Sequence, residues 1–341
     1  ICEQLGIPHH VVDTRDTFRK EIVDRVVNGY REGITPLPCS QCNRSVKFGP
    51  MQEWARRERG LTRIATGHYA RVRHCDAAGD GSGESGQRHQ LLRGLDSRKD
   101  QSYFLCQLNQ DQLARAMFPI GELEKPKVRE IATDIGLPTA DKKDSQGLCF
   151  IGKVRLPEFL QQQLAVKRGD IVEIDANHEV FADRSNLTLS ERARPYPMTP
   201  DMGTVVGQHD GAHFFTVGQR KGLQVGGKPE PLFVLGTCIE TNTVFVGQGD
   251  HHPGLYRTAL RLEAPHWVLP SQQRASPSET TFGLRIRYRQ PLQAGKLVCD
   301  SEGQWFMDFK NPQRGVAAGQ FAAWHGGADG TEVIGSAVIS E

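Results

Sequence analysis

Two of the eight cysteines stand in short stretches that continue neither a helix nor a strand: Cys42 in Thr35-Pro-Leu-Pro-Cys-Ser-Gln-Cys-Asn43, and Cys149 in Asp144-Ser-Gln-Gly-Leu-Cys-Phe-Ile-Gly152. Their settings suit a working pair of thiols. Pro36 and Pro38 hold the approach to Cys42 extended, because proline fixes its own φ and pushes the preceding residue out of the α region. Val46, Phe48, Met51, Trp54 and Ala55 then allow a helix, which predicts Cys42 near a helix N-terminus. There the dipole and the neighbouring cations Arg44 and Lys47 would favour a thiolate. Cys39 and Cys42 also form a C-x-x-C, readable as half a zinc site or as a thioredoxin-like pair. No second C-x-x-C or H-x-x-x-H follows, so no metal site is expected. Cys106, Cys238 and Cys299 lie in apolar surroundings and read as small buried hydrophobes.

Other polar clusters admit two readings each. Ser97-Arg-Lys-Asp-Gln-Ser102 is a polar loop feeding Tyr103 and Phe104, or a binding loop. Gly218-Gln-Arg-Lys-Gly222 sets two cations between glycines, which suits phosphate contact or a tight cationic turn. Phe282, Leu284, Ile286 and Tyr288 alternate with Arg285, Arg287 and Arg289. Alternate strand residues lie roughly 7 Å apart, near the spacing of successive phosphates, so that face is either solvated or a phosphate row. The histidines show no metal-ligand spacing, and His251-His252 reads as a surface pair.

The elements that must position these residues follow from pattern. A helix runs from about Thr17 to Tyr30 with Phe18, Ile22, Val26 and Val27 on one face. A second opens at Pro126, carries Val128, Ile131, Ala132 and Ile135 as its apolar face, and stops at Gly136. Leu61 to His68 reads as a strand ending in a Gly-His turn, the place where open α/β sheets bind ligands. Cys75 to Gln90 reads as a mobile hairpin loop. Residues 1–166 thus form a parallel α/β domain, 167–254 a small mainly β domain with an inserted loop over Phe181 to Thr204, and 255–341 a C-terminal β-barrel. Ile1 to Pro8 reads as a helix end closed by Gly6, before a strand through His10, Val11 and Val12. Nothing starts that helix, so an upstream β-α unit is expected and the chain reads as a fragment. A net charge of +2 leaves nucleic-acid contact to local patches, no apolar run is long enough to span a bilayer, and eight cysteines over 341 residues suit a reducing cytoplasm rather than a disulfide scaffold.

With these segments set out, the chain resembles the tRNA-specific 2-thiouridylases. The resemblance rests on Cys42-Asn-Arg-Ser-Val-Lys-Phe48, Ala65-Thr-Gly-His-Tyr69, Leu92 to Phe104, Phe118 to Pro126, Lys143 to Gly152, Gly218 to Leu223 and Arg287-Tyr-Arg-Gln290, in order over nearly the whole length. It implies an adenine-nucleotide α-hydrolase-like domain, a central domain and a β-barrel, acting together to replace the C2 oxygen of the wobble uridine by sulfur. ATP with Mg2+ would activate that oxygen, and Cys149 would carry sulfur as a persulfide received from a cysteine desulfurase or a sulfur-carrier protein. Cys42 would resolve the persulfide, leaving a Cys42–Cys149 disulfide. By the same resemblance Gly67 would contact ATP. His68, Lys99, Asp100, Gln101, Arg287, Tyr288 and Gln320 would touch tRNA, and Leu37, Pro38 and Cys39 would border the target base. Two departures stand out: Cys39 occupies a position often held by aspartate, and no Ser-Gly-Gly-x-Asp-Ser pyrophosphate loop occurs. From the latter, poor ATP binding and no thiolation by the chain alone are expected. The competing readings are a thiol-disulfide oxidoreductase using Cys39 and Cys42, and a non-catalytic RNA-binding remnant.

Overall fold

The computed structural model describes residues 1–76, 87–142, 156–269, 280–327 and 329–340. After a single helical turn α1 (Cys2–Leu5), closed by Gly6 at φ 63°, one continuous helix forms from α2 (Arg15–Phe18) through a π-helical stretch into α3 (Asp24–Arg31). It buries Ile22, Val26, Val27 and Tyr30, the face expected from its 3.6-residue period. A second helical run begins as α4 (Pro38–Cys42), passes through a π-helical segment that kinks at Gly49-Pro50, and ends as α5 (Gln52–Arg59), closed by Gly60. The kink follows from Pro50, which supplies no N–H and crowds the preceding turn.

Then come β1 (Ile64–Ala65), β2 (Ala70–Asp76), β3 (Gln87–Arg93), α6 (Gln110–Ala114), β4 (Ala116–Met117) and α7 (Lys125–Asp134). β1 and β4 pair in parallel, Ile64 with Ala116 and Ala65 with Met117, so the carboxyl end of β1 leads into Thr66-Gly67-His68. β2 and β3 form an antiparallel ladder, so the ends of the stretch read as a loop, Cys75–Asp76 and Gln87–Gln90, are strand, while residues 77–86 lie outside the described residues; β3 also joins the C-terminal sheet. One expectation fails nearby. His10 to Val12 form no strand and Val11 is 86% exposed; β-branched residues supply propensity, but a strand needs a ladder partner. α7 is a helix closed at Gly136, yet Ile131 and Ile135 are 40% and 52% exposed. A period of 3.6 lines up an apolar stripe without specifying a surface to cover it.

α8 (Leu156–Gln163) precedes the central sheet of β5 (Gly169–Glu173), β6 (Thr204–His209), β7 (Leu232–Cys238) and β8 (Thr243–Gln248), ordered β6-β5-β8-β7. Short α9 (Leu189–Ala193) lies within the insert between β5 and β6, capped by a reciprocal Thr188–Glu191 box. Both faces of this sheet are covered: Ile171, Val234, Val244 and Val246 pack on one side, Val172, Phe233, Leu235 and Phe245 on the other. The run Thr243 to Gly247 is accordingly buried without alternation.

The barrel comprises β9 (Tyr256–Leu262), β10 (His266–Trp267), β11 (Thr281–Arg285), β12 (Gln293–Cys299), β13 (Trp305–Arg314), β14 (Phe321–Gly326) and β15 (Glu332–Val338). The sheet order β15-β14-β11-β12-β13-β9 closes through the Leu262–Ile339 bridge, with Glu263 N–H donating to the Val338 carbonyl and Ser340 N–H to that of Arg261. Trp324, fully buried, packs inside it among Leu260, Leu284, Leu297 and Met307. A further core spans the first and last parts of the chain: Phe48, Leu91, Tyr103, Leu105 and Leu113 pack with Val268, Phe321, Ala323 and Val333.

Candidate functional site

Pro38 occupies the first turn of α4, which places Cys39 in that turn and Cys42 one turn further along. Cys39, rather than Cys42, thus stands nearest the helix start, because the helix begins at the second proline and not after it. Cys42 is buried against Ile22 and Val46, and Cys39 is half-buried. Of the neighbouring cations, Arg44 donates to the Gln107 side chain at 3.0 Å and Lys47 to the Asn43 side chain at 3.1 Å. Asn43 in turn donates to the Phe104 carbonyl at 2.9 Å, tying this helix to the loop after β3. Cys2, Cys75, Cys106, Cys238 and Cys299 form no disulfide, and Cys149 lies outside the described residues. Cys106 is the buried hydrophobe expected, whereas Cys299 is exposed at the end of β12. Among the described residues no cluster of three or more His, Cys, Asp or Glu could hold a metal ion.

The segment before α4 is held by the barrel. Thr35 N–H donates to the Ala318 carbonyl at 2.9 Å, and Gln320 Nε2 donates to the Thr35 carbonyl at 2.7 Å. Gly319, at φ 85°, lies so close that a Cβ there would collide with Ile34 and the Thr35 backbone. The Thr35 and Thr216 hydroxyls are 3.0 Å apart, which adds the central domain to the same junction. Leu37 packs on the shared core beside Tyr288, whose ring lies 4.5 Å from that of Phe104.

At the carboxyl end of β1, Gly67 is exposed and a Cβ added there would meet nothing within 4 Å. The His68 ring lies against Phe48 and Phe118, and its Nδ1 is 2.7 Å from the Thr66 hydroxyl. Burial, with a smaller contribution from Lys47, lowers its pKa to about 4, so the imidazole is neutral near pH 7. Gln101 brackets the next residue: its N–H donates to the Tyr69 carbonyl at 2.8 Å and its Oε1 accepts from Tyr69 N–H at 3.0 Å. Lys99 is half-buried, its N–H donating to the Asp96 carbonyl. Asp100 is 2% exposed and faces inward, toward Arg93 and Arg285. Burial alone would raise the Asp100 pKa; Arg285 and the bonds from Ser102 and Arg285 together hold it below the usual carboxylate range.

The expected row of outward arginines does not form. β11 ends at Arg285, which is 3% exposed, and Arg289 adopts φ 64° in the turn beyond. Arg287 donates Nη2 to the Val217 and Gly315 carbonyls at 3.0 and 2.5 Å, joining the central domain to the barrel. Its burial, with Arg314 nearby, lowers its pKa. Alternation in the sequence failed here because Asp100, 185 residues away, supplies a buried counter-charge. Gly218-Gln-Arg-Lys-Gly222 forms a tight turn with Gly218 and Gly222 at positive φ and Arg220 and Lys221 exposed. Gln219 closes it by accepting from Thr216 N–H and donating to the Lys221 carbonyl. His252, expected on the surface, is 1% exposed, accepts from Gly254 N–H, and lies 3.2 Å from the Ile174 carbonyl.

Sequence reasoning missed Tyr103, Asn43 and Arg285 as organisers of this face. Tyr103 is fully buried and its hydroxyl donates to the Phe321 carbonyl at 2.7 Å, with that of Ile286 at 3.1 Å. Asn43 and Tyr103 lie within the motif segments and Arg285 just before one, but only long-range partners reveal their parts. The described residues singled out from sequence therefore gather on one junction: the approach to Cys42, the turn after β1, the loop after β3, and the barrel edge at Arg287, Tyr288 and Gln320.

Comparison with known proteins bears on this junction. Residues 1–153 match the tRNA methyl transferase HUP domain, 191–248 the tRNA methyl transferase PRC-barrel domain, and 257–339 the aminomethyltransferase β-barrel domain. The tRNA-specific 2-thiouridylase of Flavobacterium johnsoniae is 45% identical over the whole of this chain and 85% of its own length. That of Trichormus variabilis is 42% identical, again over the whole chain and 84% of its own length. That of Parasynechococcus marenigrum is 55% identical over 87% of this chain and 65% of its own.

Proposed function

Since the chain belongs to the tRNA-specific 2-thiouridylase family, we propose that it exchanges the C2 oxygen of a tRNA wobble uridine for sulfur. The single observation carrying this reading is the junction itself: the barrel and the central domain both bond Thr35, which leads into the Leu37–Cys42 segment, and Gln101 in the loop after β3 holds Tyr69 beside the Gly67–His68 turn. An extruded base needs such a pocket, because sequence-specific RNA readout targets unstacked nucleotides.

ATP with Mg2+ would supply the activation, turning the C2 oxygen into a phosphate ester and hence a leaving group. The open space at Gly67, at a parallel-strand carboxyl end, fits a nucleotide there. Neutral His68 lies beside that turn on the tRNA side, with Lys99 and Gln101; Asp100 contributes by fixing the loop from within. Leu37, Pro38 and Cys39 border the base, and Tyr288, Arg287 and Gln320 form the barrel's part of the tRNA surface.

Sulfur arrives from a cysteine desulfurase or a sulfur carrier as a persulfide on Cys149. The Cys42 thiolate attacks the Cys149 sulfur, forming the Cys42–Cys149 bond and expelling hydrosulfide. Hydrosulfide adds at C2 and AMP leaves. The disulfide then takes two electrons and two protons from a cellular dithiol before the next turnover. We place this cycle in the cytoplasm, where such reductants are kept; among the described residues no helix is long and apolar enough to cross a membrane.

The test is mass spectrometry of wobble uridine in cells lacking the gene and complemented with variants. Cys42→Ala and Cys149→Ala should each abolish 2-thiouridine, whereas Cys299→Ser, altered at an exposed thiol, should restore it. Persistence of 2-thiouridine in both alanine variants would overturn the reading. Dithiol oxidation that survives Cys149→Ser and ignores tRNA would instead favour a C-x-x-C oxidoreductase.

A further inference from the structure

The Asp100 carboxylate collects four donors: Gly94 N–H at 3.2 Å and Ser102 N–H at 3.0 Å on one oxygen, Arg93 Nε at 3.3 Å and Arg285 Nη1 at 2.9 Å on the other. Asp100 and Arg285 are 2% and 3% exposed. An ion pair this deep is weak evidence of stabilisation, since removing two charges from water costs about as much as their attraction returns. Its worth must be sought in what it holds in place.

What it holds is the residue alongside. Gln101 grips Tyr69 through both its backbone N–H and its side-chain oxygen, and Tyr69 directly follows Gly67-His68. The barrel residue after Arg285 is also engaged: the Ile286 carbonyl lies 3.1 Å from the Tyr103 hydroxyl, three residues beyond Asp100. Two successive barrel residues thus fasten both ends of the segment Asp100–Tyr103. Beyond these two positions β11 ends, and Arg287 and Tyr288 turn toward the central domain and Phe104. One short stretch of chain therefore carries the internal fastening at Arg285 and Ile286 and the barrel's proposed tRNA-facing residues at Arg287 and Tyr288.

We propose that Arg285 is a positioning residue: through Asp100 and Gln101 it sets the geometry of the Gly67–His68 turn and makes that turn depend on the seating of the barrel. The proposal rests on the thiolation reading for its effect on activity, but not for its effect on structure. A barrel displaced by tRNA would move Arg285, Asp100 and Gln101 together, because the ion pair and the two Gln101–Tyr69 hydrogen bonds are continuous from the strand to the turn. Neither Arg285 nor Asp100 reaches substrate in this scheme.

The experiment compares Arg285→Met, Arg285→Lys and Asp100→Asn with the unaltered chain. In Arg285→Met, amide exchange at Tyr69 should accelerate by about tenfold or more while the β9–β13 ladder keeps its protection, since local opening is independent of global unfolding. Thiolation should lose about tenfold in kcat with tRNA affinity changed less than about threefold, the pattern of an interaction that matters in the reaction more than in binding. Arg285→Lys, which keeps the charge, should recover part of both losses and serves if the methionine variant does not fold. Unchanged protection at Tyr69, or equal acceleration across the ladder, would overturn the proposal. Absence of thiolation by the unaltered chain is what its lack of a Ser-Gly-Gly-x-Asp-Ser loop leads one to expect, and would leave the exchange result to decide this proposal.

Discussion

The N-terminal α/β region and the C-terminal barrel meet at one face but are built in opposite ways. In the α/β region the parallel sheet is two residues deep, α7 has no buried residue, and Val11, Ile131 and Ile135 face outward. The barrel closes its hydrogen-bonded ring and buries Trp324 completely. Where the two meet, the chemistry-bearing segments lie on the α/β side, yet their fastenings come from the barrel: Ala318 and Gln320 to Thr35, Arg285 to Asp100, and the Ile286 and Phe321 carbonyls to Tyr103. The difference teaches that order at the site is borrowed from the rigid partner across the junction.

The largest expected contrast comes from truncating each region's apolar side chains. Trp324→Ala should cost about 3–5 kcal/mol in denaturant unfolding, as large-to-small changes in cores do. Ile135→Ala, on an uncovered helix face, should change stability by less than about 0.5 kcal/mol; equal losses would erase the distinction. Next, Tyr103→Phe leaves two buried barrel carbonyls without their shared donor and should cost about 1–3 kcal/mol, with exchange accelerated in β14 as well as in the loop after β3. A change confined to one side would show that the hydroxyl does not join the two.

A smaller, more local effect is expected at Gly319. Alanine there must hold φ 85° and push aside Ile34 and Thr35, at a cost of about 1 kcal/mol or somewhat more. Thiolation should fall further than stability, because the displaced segment leads to Cys42; parallel losses in thiolation rate and melting temperature would argue otherwise. A last effect is in pH dependence. His68 has a folded pKa of about 4 against an ordinary 6.5, so as the pH falls through this window the unfolded chain takes up the proton first. The contribution is complete above pH 6.5 and is lost progressively toward pH 4. His68→Gln should flatten that part of the stability–pH curve, and NMR of the imidazole should find it neutral at pH 5.

Much of this was legible locally. Gly6 and Gly136 marked helix ends, the Thr17–Tyr30 period named its buried face, and the motif blocks picked out nearly every segment that converges on the junction. What stayed hidden was set by partners far along the chain. Alternation put Arg285 on an outer face, but Asp100 draws it inside; His252 looked solvated, but the Ile174 carbonyl lies beside it. α7 was read correctly as a helix, but nothing in its stripe told that Ile131 and Ile135 would stay exposed. Cys42 was displaced from the helix start for a subtler reason: both prolines were read as holding the approach extended, but Pro38 instead opens the helix four residues before Cys42.

Strand β15 has a consequence in time. It is inserted between β14 and β3, pairing Val333 with Leu91 and Glu332 with Leu92, and its end seals the ring at Leu262. A ribosome making this chain must therefore finish almost all of it before the hairpin β2–β3 gains its neighbour. Until then the hairpin exposes a bare ladder edge of the kind that recruits other chains. Covering that edge waits on one strand from the other end of the barrel.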